Sequence, residues 1–147
     1  MNFFIRHGLH LNVSLGNAGQ LVFSYANFEQ KSSVGERKNL VGLDYYWEHD
    51  GTEITSEAVY RSSDESSRQD EKGLFVQGAI PLSERLHGII RYELYDQAGS
   101  APSMNLWLGG VALRLAPSVL LKAEYSHANH NPVQAPVGFF SSFAIMF

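Results

Sequence analysis

Leu9-His-Leu-Asn-Val-Ser-Leu15 alternates apolar and polar side chains without a break. In an extended chain, successive side chains point to opposite faces, so the apolar residues of this segment share one face and its polar residues share the other. Gly16-Asn-Ala-Gly19 follows directly and has the composition of a turn. The segment therefore predicts a β-strand with one apolar and one polar face, ending in a tight turn.

The same period of two recurs along the chain and predicts about nine strands. Their ranges are 9–15, 20–28, 39–49, 52–61, 73–80, 86–95, 105–115, 119–126 and 137–147. No segment has the 3.6-residue period of an amphipathic helix, and no capping residue precedes such a pattern. We therefore predict an all-β chain that forms one domain over its 147 residues.

The connections between these strands alternate in length. Short turns at 16–19, 49–51, 81–84 and 116–118 interleave with long polar loops at 29–38, 62–72, 96–103 and 127–136. Outer-membrane barrels have short turns at one end and longer loops at the other. The alternation predicts an antiparallel transmembrane β-barrel, with eight to nine of its strands present in this chain.

Composition narrows the function classes. The net charge of −4 argues against nucleic-acid binding, which needs a basic surface. The absence of Cys excludes disulfides, thiolate metal sites and cysteine nucleophiles. The longest apolar run, 106–113, is far shorter than the roughly 18 residues that a membrane-spanning helix requires. Aromatic residues make up 12% of the chain, and membrane–water interfaces are one place where such side chains are favoured.

The polar faces of the predicted strands carry most of the charged residues. A charge that faces lipid near the bilayer midplane is costly, so these side chains are expected to point into the barrel. Such residues line a pore and set its ion preference; the alternative is that they pair across strands as salt bridges without a role in transport. The predicted pore-lining residues are Asp44, Glu48, Glu57, Arg61, Arg91, Glu93, Arg114, Lys122 and Glu124, with Glu53 on the same faces.

Aromatic residues on the apolar faces are predicted to anchor the barrel at the membrane interfaces, because an amphipathic ring keeps one end in lipid and one end in water. These residues are Tyr45, Trp47, Tyr60, Tyr92 and Tyr125.

The end of the chain resembles the C-terminal assembly signal of bacterial outer-membrane proteins. Phe143, Ile145 and Phe147 alternate along the last predicted strand, and Ser141 interrupts the pattern. The segments 42–60, 86–95 and 119–125 further resemble strands of phosphate-selective porins, over roughly residues 40–147. The resemblance implies a water-filled barrel, often a homotrimer, that contacts the barrel-assembly machinery, outer-membrane lipid and lipopolysaccharide. It does not imply phosphate selectivity, because the basic pore residues find no match.

Strand parity bears on how much of a barrel the chain contains. If residue 147 ends at the periplasmic side, the strand at 9–15 runs in the same direction as the last strand. Bacterial single-chain barrels have an even number of strands. Either an upward strand precedes residue 9, or the barrel begins at Gln20 with eight strands. No secretory signal is visible at the N-terminus, and the first option, the C-terminal portion of a longer porin, is preferred.

The functional prediction is passive diffusion of small hydrophilic or ionic solutes through an outer-membrane barrel, without enzymatic activity and without a cofactor or metal. One alternative is a small closed barrel with a structural role or an enzymatic role on lipid or peptide, for which His127 and Asp96 are the only candidate residues. Another is a soluble ligand-binding barrel, which leaves the loop pattern and the terminal Phe unexplained.

Three motifs are better explained without a catalytic or metal-binding role. Arg6-His-Gly8 resembles the start of histidine phosphatases, but the helices and second histidine of that family are missing. His127 and His130 lie in a proline-containing loop without a neighbouring carboxylate, so a solvated loop is preferred to a metal site. The acidic loop that holds Asp64, Glu65, Asp70 and Glu71 is interpreted as solvated rather than as a divalent-ion site.

Overall fold

A computed structural model describes residues 3–30, 37–64, 70–99, 102–131 and 135–145, with backbone only for residues 3–6 and 30. Nine strands and one short 3₁₀ turn at Gly16–Ala18 make up its secondary structure, which confirms the all-β prediction. The strands are β1 (Phe3–Ser14), β2 (Gln20–Gln30), β3 (Arg37–His49), β4 (Thr52–Ser63), β5 (Glu71–Pro81), β6 (Leu86–Asp96), β7 (Met104–Ala116), β8 (Val119–Asn129) and β9 (Gly138–Ile145).

The nine strands form a single antiparallel sheet in which each strand pairs with the next along the chain. Within the described residues, β1 pairs only with β2 and β9 only with β8, so the sheet is open and has two free edges. The closed barrel expected from the sequence is therefore not formed by these strands alone.

The strands are staggered relative to one another. Leu9 in the middle of β1 lies opposite Tyr25, and the row continues through Val41 and Tyr60. It then passes through Lys72 and reaches Asp96, the last residue of β6. A row of cross-strand neighbours thus drifts along the strands as it crosses the sheet, which is the stagger that tilted barrel strands have.

The register gives the sheet two chemically different faces. We call one the apolar face, because between the loop ends and the turns it carries aliphatic and aromatic residues interrupted only by Gly, Ala, Ser56 and Ser141. Representative members, one from each strand in order, are Leu11, Phe23, Leu43, Ala58, Leu74, Ile90, Val111, Leu121 and Phe143.

The opposite side, called the charged face, carries most of the ionisable strand residues. Its charged members include Lys38, Asp44, Glu48, Glu53, Glu57, Arg61, Glu71, Arg91, Glu93, Arg114, Lys122 and Glu124.

Burial is concentrated on the charged face. Met104, Leu106, Ala112, Lys38 and Ser126 are the buried residues of the described chain, and all five lie on this face. No described side chain is completely buried, as expected for a single sheet without a second layer. The sheet is therefore more enclosed on its charged face, above all along β7.

Two turns require particular backbone conformations. Asp50 and Gly51 join β3 to β4 with φ values of 49° and 75°, the left-handed pair that a two-residue hairpin needs, as the Asp-Gly sequence predicts. Gly19 has a φ of 103°, and a Cβ at this position would lie 2.3 Å from the carbonyl oxygen of Tyr46. Only glycine fits where the β1–β2 turn lies against β3.

The strands extend further into the loops than the alternation predicts. β1 begins at Phe3 rather than residue 9, and a register shift between Ile5 and His7 accommodates the stretch where the alternation is lost. At several strand ends, oppositely charged residues face each other across the strand pair, such as Glu29 and Arg37. Such cross-strand pairs keep polar residues in the sheet where the apolar pattern has ended. Phe147, part of the predicted assembly signal, lies outside the described residues.

Candidate membrane face and solute path

The loop ends of the apolar face hold a series of tyrosines whose hydroxyl groups have polar partners. The hydroxyl of Tyr25 donates to Asn39 Oδ1 at 3.0 Å, and that of Tyr92 donates to Asn105 Oδ1 at 2.6 Å. Tyr60 donates to a carboxylate oxygen of Asp70. Each ring packs on the apolar side while its hydroxyl reaches the polar loop end, an arrangement that suits an interface between hydrocarbon and water.

Beyond these tyrosines lies a polar border, which we call the loop rim, made of residues on the same side of the sheet. Lys72 Nζ lies 3.2 Å from Asp96 Oδ2, and Glu29 faces Arg37 across β2 and β3. The rim also contains His127, whose Nε2 lies 3.3 Å from Asn129 Oδ1. Between the rim and the turns, the described part of the apolar face carries no Asp, Glu, Lys or Arg.

The turn end of the apolar face has its own aromatic residues on β3. The hydroxyl of Tyr45 donates to the carbonyl oxygen of Ala18 at 2.8 Å, and Trp47 Nε1 donates to that of Asn17 at 3.1 Å. Both contacts tie the β1–β2 turn to the neighbouring hairpin. Along β4, the distance from Ile54, the neighbour of Trp47, to Tyr60 is about 20 Å at the usual rise of a strand.

Many apolar side chains of this face are exposed. Phe139 is 72% exposed, Leu9 58% and Tyr125 57%, and these three lie on three different strands. Trp107 is also exposed and stacks at a tilt on Tyr92, with ring centroids 4.5 Å apart. Every strand except β2, whose apolar residues are half-buried, has exposed apolar residues on this face.

On the charged face, β3 and β4 bring carboxylates opposite one another. Asp44 faces Glu57, and Glu48 faces Glu53. The hydroxyl of Tyr46 donates to Glu48 Oε2 at 2.8 Å. Among the described residues, neither Asp44 nor Glu57 forms an ion pair or hydrogen bond. These four carboxylates make this region a strongly negative part of the face. Like charges directly opposite each other also destabilise a strand pair.

β5 and β6 carry a different arrangement on the same face. The guanidinium carbon of Arg91 lies 4.7 Å from the ring centroid of Phe75, within the range of a cation–π contact. Arg91 Nε lies 2.6 Å from Glu93 Oε1, yet it is buried and forms no hydrogen bond with the residues that the structure describes. The distance is that of an ion pair while the N–H direction is wrong for a hydrogen bond, so the contact is electrostatic. Arg61 forms a further ion pair with Glu71.

A cavity of about 350 Å³ lies over this arrangement. Its polar lining is Glu57, Arg91 and Glu93, and its apolar lining includes Val59, Phe75 and Met104. A smaller cavity of about 170 Å³ adjoins it and shares Glu57 and Phe75, with Asp44 and Tyr46 on its other side. The two cavities adjoin on the charged face and are lined by residues from β2 to β7.

Every residue predicted to line a pore lies on the charged face, and every predicted interface aromatic residue lies on the apolar face, together with Phe143 and Ile145. Their roles in a pore, at an interface or in assembly remain predictions. The apolar wall of the larger cavity was not predicted from the sequence, and it is formed by Phe75, Val59 and Met104. Phe75 lies between Leu74 and Val76 in an apolar run, so alternation alone does not indicate which face it occupies.

The residues of the enzymatic alternative are not brought together. His127 lies in the row of Trp107 and Tyr92, whereas Asp96 lies two strands away and four positions further along β6. Asp96 Oδ1 accepts a hydrogen bond from Ser103, and His127 contacts Asn129. In the described part of the chain, no group of three or more His, Asp or Glu side chains could hold a metal ion.

Comparison with known proteins gives no relative: no protein-family model, no curated protein and no solved structure matches this chain. Among the described residues, no helix is long and apolar enough to cross a membrane.

Proposed function

We propose that this sheet forms part of the wall of an outer-membrane β-barrel through which small hydrophilic or ionic solutes diffuse passively. The observation that carries the proposal is the contrast between the two faces of one continuous sheet. Among the described residues, the apolar face has no Asp, Glu, Lys or Arg between the loop rim and the turns, and the charged face holds acids and bases on β3 to β8. Membrane barrels have this alternation, with lipid outside and water inside.

The exposed apolar face would be unfavourable in water. Soluble monomers rarely expose continuous apolar patches above a few hundred Å², and here eight of the nine strands, all but β2, have exposed aliphatic or aromatic residues. In lipid the same surface needs no further protein layer. The strand lengths of 8 to 13 residues match those that cross a bilayer at a tilt.

The stagger of the strands supports closure into a barrel, because closing a sheet requires tilted strands and a shifted register. At the loop rim, Lys72 and Asp96 would meet the headgroups of outer-membrane lipid and lipopolysaccharide. Phe143 and Ile145 would belong to the signal for the assembly machinery, and a homotrimer is part of the proposal through the resemblance to porins.

The first test is refolding of the chain into liposomes, followed by single-channel recording across a planar bilayer. Discrete conductance steps are the expected result. Folded β-structure in the liposomes, checked by circular dichroism, together with a silent bilayer would refute a pore formed by this chain on its own. A chain that folds fully in buffer without detergent would instead support a soluble ligand-binding barrel.

Ion preference provides a matched test with two lysines on opposite faces. Lys122 lies on the charged face, and Lys72 lies at the loop rim. Lys122→Glu should shift the reversal potential in a salt gradient towards cation preference, because pore-lining charge sets selectivity. Lys72→Glu should leave the reversal potential unchanged. Equal shifts for the two variants would contradict the assignment of the charged face to the lumen.

One observation favours a narrow or plugged barrel as a second candidate. Met104 and Leu106 are buried on the charged face, at 4% and 6% exposure, and face Tyr95 and Glu93 of β6. Side chains fill the interior of the smallest barrels. In that case the ion pairs of the charged face have a structural role, and the refolded protein would insert into liposomes without conducting.

A further inference from the structure

The larger cavity of the charged face combines both signs of charge with an apolar wall. Glu57 lies on β4 and Glu93 on β6, and Phe75 on β5 lies between them in one cross-strand row. Arg91 places its guanidinium over the Phe75 ring. Glu57 and Phe75 are direct cross-strand neighbours, and the backbones of neighbouring strands are about 4.8 Å apart.

Arg91 and Glu57, which both line the cavity, differ in the partners that they already have. Arg91 contacts Glu93 through Nε, and a guanidinium has five N–H donors, so donors remain for another partner. Among the described residues Glu57 contacts no cation or donor. Arg91 and Glu57 do not pair directly, although both line the cavity. A guest that carries a carboxylate and an ammonium group a few ångströms apart could bridge them.

We propose that this cavity binds a small zwitterionic solute of the α-amino-acid class with an apolar side chain. The carboxylate of the solute is held by the Arg91 guanidinium, which suits planar carboxylates. Its ammonium group is held by Glu57, and its side chain lies against Val59 and Met104. The volume of about 350 Å³ is at the small end for ligand sites, which favours a metabolite-sized guest.

This inference deepens the proposed function, since it makes the cavity a binding point along the solute path, but binding can be measured without conduction. The probe is L-leucine, titrated by calorimetry into the full chain folded in detergent micelles. Two analogues each lack one charge: 4-methylpentanoate has no ammonium group, and isoamylamine has no carboxylate. We expect leucine to bind about tenfold tighter than either, the change that loss of one charged hydrogen bond produces.

Two variants separate the two contacts. Arg91→Gln should weaken leucine binding about tenfold and leave isoamylamine binding unchanged, whereas Glu57→Gln should weaken leucine similarly and leave 4-methylpentanoate unchanged. The controls are Arg85→Gln and Glu84→Gln in the β5–β6 turn, outside this cavity, and both should bind leucine normally. The analogue series with the unaltered chain decides the matter even if a variant does not fold.

Three results would overturn the inference: isoamylamine binding as tightly as leucine, 4-methylpentanoate binding as tightly as leucine, or no binding of leucine to the folded chain. Conductance without leucine binding would remove the zwitterion site and leave the pore standing. Leucine binding without conductance would remove the pore and leave the zwitterion site standing.

Discussion

Gly109 and Gly110 are neighbours in β7, and they meet different surroundings on the two faces of the sheet. A Cβ on Gly109, on the apolar face, would have no atom within 4 Å. A Cβ on Gly110, on the charged face, would lie 2.6 Å from the carbonyl oxygen of Ala123 and 2.7 Å from Glu124 Cγ. One face of the strand is thus open to whatever surrounds the protein, and the other is packed by the protein itself.

The largest expected effect comes from placing a charge on the open face. Val76 lies on the apolar face in the middle of β5, and Gln77 next to it lies on the charged face. Val76→Arg should reduce the free energy of unfolding in liposomes by about 2–4 kcal/mol, because a lipid-facing arginine near the midplane costs that much. Insertion yield and urea unfolding in liposomes measure the effect. Gln77→Arg is the control, and an equal loss in both variants would mean that the faces are wrongly assigned.

The two glycines provide the next test. Gly110→Ala should destabilise the folded chain by about 1–3 kcal/mol, because the added methyl group must displace Glu124 or the backbone of β8. Gly109→Ala should have little effect, since the space around it is empty. Urea unfolding in detergent micelles gives both values. If Gly109→Ala were the more harmful change, another layer would have to cover the apolar face.

A smaller effect is expected at the polar contacts of the apolar face. Tyr92→Phe removes the hydrogen bond to Asn105 and keeps the ring packed on Trp107. The free energy of unfolding should fall by about 1 kcal/mol, the net value of such a bond. Tyr95→Phe on the charged face is the matched variant, since its hydroxyl has no hydrogen bond to the described residues, and it should unfold like the unaltered chain.

The smallest expected effect has the opposite sign. Glu57 faces Asp44 across β3 and β4, and no cation of the described residues pairs with either carboxylate. Glu57→Gln should therefore stabilise the folded chain by about 0.2–1 kcal/mol at low salt, with a gain that shrinks as salt is added. Glu93→Gln instead removes the partner of Arg91 and should destabilise. A stabilised Glu93→Gln variant would show that the Arg91 ion pair does not hold this part of the face together.

Much of this architecture could be predicted from the sequence, because the side-chain period of a strand is fixed by backbone geometry. Segments such as Leu9–Leu15 show which residues share a face, and the Asp50-Gly51 pair marks its hairpin directly. Because each strand pairs with its neighbour in sequence, the local alternation was enough to place Asp44, Glu57 and Arg91 on one side of the sheet.

The parts that could not be predicted depend on relations between strands. The start of β1 at Phe3 depends on pairing with the end of β2, since the alternation has already been lost there. The cavity depends on Phe75 coming between Glu57 and Glu93, which is a matter of register. Register is set by the whole row of neighbours and by turn geometry, and a single sequence does not display either.

The chain contains two tryptophans, and they lie near opposite ends of the apolar face. Trp47 is two residues before the end of β3 at its turn, and Trp107 is three residues after the start of β7 at its loop. The fluorescence emission of each indole therefore reports on the surroundings of a different end of the apolar face. With one tryptophan replaced at a time, quenchers attached at graded depths along lipid tails would measure the depth of each remaining indole in a bilayer.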